Sequence, residues 1–107
     1  MAEMPDPLER MILLQKMRIT TVIRLTQENS MLLSMRQRVA GKEIEVMVAE
    51  RDLEREEGHD GEPGVLQRAR AEFDQLQLLL DRQERAVTTM EQTLKQIDGD
   101  IAALCQS

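Results

Sequence analysis

From Leu66 to Leu104 apolar residues recur at spacings of three and four: Leu66, Ala69, Phe73, Leu76, Leu80, Val87, Met90, Leu94, Ile97, Ile101 and Leu104, with Gln83 the one interruption. Residues three and four apart share a helical face, so a stripe of this length belongs to a helix with one seam to bury against another helix. The stripe constrains architecture and leaves chemistry open, because a coiled coil is selected for shape and partner surface.

The first half carries a matching stripe. Met11, Leu25, Leu32, Val39, Val46 and Leu53 fall at seven-residue intervals with only Arg18 out of pattern, and Leu14, Met35 and Ala49 fill the half-turns. Ile12, Ile19, Leu33, Ala40 and Met47 follow the same period one residue on. The apolar face is therefore broader than a simple seam and wide enough to meet two helices.

Between the stripes lies Gly58-His59-Asp60-Gly61-Glu62-Pro63-Gly64, the strongest turn signal in the chain. A short loop makes its two helices antiparallel neighbours, so the expected fold is all-α: an elongated antiparallel helical hairpin or coiled-coil bundle in one domain. The expected limits are a helix over about 7–57, a turn at 58–64 and a helix over about 65–105. Asp6 is the expected N-cap, with Pro7 at the first helical position and Glu9 at capping-box spacing. Ala40-Gly41 is a weaker break left open, but the stripe keeps phase across it, so one glycine costing about 1 kcal/mol reads as tolerated rather than terminal. Asp81-Arg82-Gln83-Glu84 also has the spacing of a helix start, which leaves a spectrin-like three-helix bundle open if the chain breaks near residues 80–84. Asp98-Gly99-Asp100 is a point where the C-terminal end would fray.

With one Phe, no Trp and no Tyr, the interior must be built from aliphatic and Met side chains. Such a hairpin leaves most residues wet, so a protein partner, a second copy forming a homodimer, or a third helical segment is expected over the broad N-terminal face. No apolar run is long enough to span a bilayer, and the reading is a soluble, cytoplasmic protein without a membrane role. Cys105 reads as a semi-exposed hydrophobe on the last turn. His59 has no second His or Cys nearby, so no zinc site and no Cys-His or Ser-His-Asp arrangement can be assembled around it. Asp60 and Glu62 are too few for a calcium loop, and the glycines match no phosphate-binding fingerprint. No catalytic residue, metal or cofactor is expected, and the chain is read as a non-enzyme. Acidic balance and the lack of stacking aromatics argue against nucleic acid.

The net charge of −6 is unevenly spread. Residues 1–42 carry seven Lys/Arg against four Asp/Glu, residues 43–74 four against eleven, and residues 75–107 three against five. The plain reading is a solvated helix surface laced with i,i+4 pairs around Glu50, Arg51, Glu54 and Arg55. The functional reading is electrostatic steering of a partner with complementary patches.

The basic segment carries a resemblance. Lys16-Met17-Arg18, then Val22, Arg24-Leu25 and Glu28, resembles the first helix of the tubulin-binding cofactor A family, small all-helical chaperones of β-tubulin. Leu80-Asp81-Arg82-Gln83-Glu84-Arg85 is similar to that family's second-helix stretch, with Leu80 where the family has proline. The resemblance implies a non-enzymatic cytoplasmic chaperone that captures β-tubulin after chaperonin release and passes it towards heterodimer assembly, in service of the microtubule cytoskeleton. It also implies partner-binding roles for Lys16, Arg18, Arg24 and Glu28, and packing roles for Val22 and Leu25. Two alternatives fit the same amphipathic hairpin: a helical chaperone or adaptor of a bacterial export apparatus, and a structural coiled-coil subunit.

Overall fold

The structure, a computed structural model, describes residues 6–55 and 63–106. Two helices account for them: α1 (Pro7–Arg55) and α2 (Pro63–Gln106), with no strand among the described residues. The fold is an all-α antiparallel helical hairpin.

The start of α1 follows from its first four residues. The Glu9 N–H donates to Asp6 Oδ1 at 2.8 Å and the Arg10 N–H to the Asp6 carbonyl at 3.0 Å, so Asp6 is the N-cap and its carbonyl accepts the first intrahelical bond. Pro7 then occupies the position where a missing N–H costs nothing. Pro63 opens α2 in the same way, so Pro63 and Gly64, expected in the turn, belong to the helix. The remaining turn residues, Gly58 to Glu62, lie outside the described residues, as does the expected last stretch of the first helix at Glu56 and Glu57.

No third helix begins at residues 80–84. Chain α2 is continuous there, Leu80 is buried, and the Asp81 carboxylate accepts from the Gln77 amide one turn earlier instead of capping a new helix. The end does not fray at Asp98-Gly99-Asp100 either, because Arg18 and Gln96 hold the two aspartates and the helix runs on to Gln106.

The chain forms two compact units, one from α1 up to Asn29 with α2 from Arg85 onward, the other from Ser30–Glu84. In the first, Val87 and Ile97 are buried, with Met11, Leu14, Val22, Leu25, Met90 and Leu94 half-buried around them. In the second, Leu32, Val39, Leu66, Ala69 and Leu80 form the core, flanked by half-buried Met35, Val46, Phe73 and Leu76. Both cores are thin: Ile97, still 4% exposed, is the most enclosed hydrophobic residue described. Two helices alone present one seam, which cannot surround a side chain.

Polar residues also occupy the 3–4 row. Thr21, Glu28 and Lys42 are half-buried on α1, and Gln83 is buried on α2. No buried side-chain nitrogen or oxygen among the described residues lacks a partner, so these positions can fix register without an unpaired polar group.

Candidate protein-binding surface

In the unit that holds the chain's first described residues, α1 presents more than its seam. Leu8, Ile12, Leu13, Met17, Ile19 and Ile23 are all exposed, between 44% and 69%. Leu8, Ile12, Lys16, Ile19 and Ile23 follow one another at spacings of four, four, three and four, so they line one face. Arg10, Leu13, Met17, Thr20 and Arg24 line a second at spacings of three and four. On the α2 side of this unit no large hydrophobic residue is exposed. The apolar residues that widen the first stripe in the sequence, Ile12 and Ile19 here and Leu33, Ala40 and Met47 in the other unit, all lie at the surface.

The four partner-binding candidates divide by environment. Lys16 and Arg24 are exposed and make no ion pair among the described residues. Arg18 is held by Asp98, Nε to Oδ1 at 2.7 Å, with both side chains nearly half exposed. Glu28 is half-buried in the seam row and already engaged within the protein. Val22 and Leu25, assigned to packing by the resemblance, are half-buried. Arg10, outside the four, is exposed and, like Lys16 and Arg24, makes no ion pair among the described residues.

The second unit is organised around Lys42. Its Nζ lies 2.7 Å from Glu45 Oε2 and 2.6 Å from Glu72 Oε2, with only 18% of its side chain exposed. The hydrogen bonds to Glu45 and Glu72 raise the Lys42 pKa above its ordinary value, and the bond from Lys42 holds the Glu72 carboxyl below its own. Arg70 reaches from α2 to Glu50, Nη2 to Oε1 at 2.9 Å. Of the residues expected to lace the surface at i,i+4 around Glu50–Arg55, Glu50 pairs across to α2 instead. Lys42 was hidden in the sequence among the basic residues; its place between Val39 and Val46 at spacings of three and four is the signal that marks it as a seam residue.

Beside this cluster Ile44, Val48, Ala49, Val65 and Ala69 line an open groove of about 370 Å³. Glu45 and Asp52 are its only charged lining residues. Three of its walls, Ile44, Val48 and Val65, are at least half exposed.

Among the described residues no three His, Cys, Asp or Glu side chains group to hold a metal ion, and no helix is long and apolar enough to cross a membrane. Cys105 is an exposed free thiol, and His59 lies outside the described residues. Compared with known proteins, the chain matches no family model, and neither a curated protein nor a solved structure shows significant similarity to it.

Proposed function

We propose that this protein is a non-enzymatic chaperone or adaptor that holds a protein client against the outer face of α1 between Leu8 and Arg24. The observation that carries this reading is the exposure of six large apolar side chains within sixteen residues of one helix, beside the cations Arg10, Lys16 and Arg24, which make no ion pair among the described residues. An apolar surface of that density is costly to leave in water, and its cations favour a client with an acidic rim.

The client named by the sequence resemblance is β-tubulin, with Lys16 and Arg24 as the outward-facing contacts. Arg18 enters such a contact only by giving up Asp98, and Glu28 only by leaving the seam. The test is binding of the purified protein to purified tubulin at low salt. Measurable affinity that weakens with salt and with Lys16→Glu plus Arg24→Glu supports the reading; no affinity removes β-tubulin. A helical client of a bacterial export apparatus is the second reading, favoured because the apolar residues repeat at the 3–4 spacing that a partner helix matches.

A further inference from the structure

We infer that the acidic groove beside Ala49 receives the basic, apolar beginning of α1 from a second copy of this chain. The two surfaces are complementary in kind. The groove is walled by Ile44, Val48 and Val65 and charged only by Glu45 and Asp52. The face at Leu8, Ile12, Ile19 and Ile23 is apolar and carries Lys16 midway along its edge, with Arg24 on the adjoining face that also holds Arg10.

Their charges also match in spacing. At ~1.5 Å per residue, Glu45 and Asp52 are about 10 Å apart along α1, while successive cations Arg10, Lys16 and Arg24 are separated by about 9 and 12 Å. Of these cations, Lys16 and Arg24 are about 80° apart around the incoming helix, close enough for each to reach one carboxylate, whereas Arg10 lies about 120° from Lys16 and stays outside the contact. Lys42 does not cancel the groove's charge, because it is shared between Glu45 and Glu72 and the trio remains net negative. The neighbouring groove at Val46, Met47 and Phe73 also carries two carboxylates, Glu43 and Glu50, but it is smaller, about 230 Å³, and Glu50 is taken by Arg70.

The contact does not rest on the client reading, since it involves this chain alone; a client of the α1 face would compete with it. Sedimentation equilibrium of the purified chain at low salt tests it. The expected result is a mass above that of the 12.3 kDa single chain, whether two copies close on each other or association runs further. Lys16→Glu with Arg24→Glu, and separately Glu45→Lys with Asp52→Lys, should each weaken association by roughly tenfold or more. An equimolar mixture of the two variants should restore it, because each altered face then meets an oppositely charged groove. Asp52→Lys alone, at an exposed residue with no ion pair, guards against misfolding of the double variant. A wild-type protein that stays at the single-chain mass overturns the inference. So does association that ignores both charge reversals, or a mixture that fails to associate while each variant melts like the wild type.

Discussion

Arg18 Nε donates to Asp98 Oδ1 at 2.7 Å across the two helices, and this places a cation of the first stripe on a carboxylate of the segment where the second helix was expected to loosen. Two apparent defects thus answer each other. Both side chains are nearly half exposed, 44% and 47%, so solvent screens the pair and its coupling should be about 0.2–1 kcal/mol in a double-mutant cycle with Arg18→Ala and Asp98→Ala. Arg18→Leu should be at least as stable as the wild type, because the position lies on the apolar row between Leu14 and Leu25. Urea unfolding of the four proteins measures the cycle, and coupling well above 1 kcal/mol would contradict a screened pair.

Lys42 makes stability depend on pH at both extremes. Its folded pKa is raised above 10.5, so its contribution is complete below that value and declines as pH rises from 10.5 through the higher folded value. Glu72 is lowered below 4.5, so its contribution is complete above 4.5 and declines as pH falls through the lower folded value. Lys42→Met should therefore shift the urea midpoint most near neutrality and progressively less towards strong acid and strong alkali. A shift that stays constant across that range would mean the ammonium interacts with neither carboxylate.

Legibility in the sequence followed the range of each interaction. The seams of α1 and α2 could be read because Leu32, Val39, Leu66 and Leu80 declare themselves by spacing along their own helix. Arg18 could be read only as an interruption, since the carboxylate that holds it lies on the other helix, and nothing in the local pattern marks Gln83 as a buried residue. Asp81-Arg82-Gln83-Glu84 misled for a related reason: a cap-like spacing recurs inside helices, and only the burial of Leu80 and Val87 on either side shows that the helix continues. At the candidate surface, Lys16, Arg18 and Arg24 look alike as letters. Their separation into outward cations and a cross-helix pair depends on where Asp98 lies, which no local pattern contains.

Leu80 and Leu78 test the phase of α2. Leu80 is 6% exposed and Leu78 is 58% exposed, although they are two residues apart. Leu80→Ala should cost about 2–5 kcal/mol through lost burial and a residual cavity, near the lower bound if the thin core collapses around it. Leu78→Ala should stay within about 0.5 kcal/mol, and it is a better surface control than Gln77, which is half-buried between Phe73 and Leu80 although its place in the sequence reads as off the apolar row. Thermal melts followed by circular dichroism would distinguish them, and equal losses from Leu80→Ala and Leu78→Ala would place the seam on the wrong face.

Gly41 and Gly99 lie inside α1 and α2, and a Cβ built at either meets no atom within 4 Å. Neither helix needs a glycine at these points for close packing, so each carries the entropic cost of glycine in a helix interior without a compensating contact. Gly41→Ala and Gly99→Ala should each stabilise the protein by about 0.5–1 kcal/mol, acting mainly by restricting the unfolded chain. For a chain of this size that corresponds to roughly 2–8 °C in melting temperature. The sites lie in different compact units, so the double variant should show the sum of the two effects. A fall in melting temperature for Gly41→Ala would show that this position of α1 is covered in solution by something a methyl group disturbs, and concentration dependence of that fall would identify the cover as another copy of the chain.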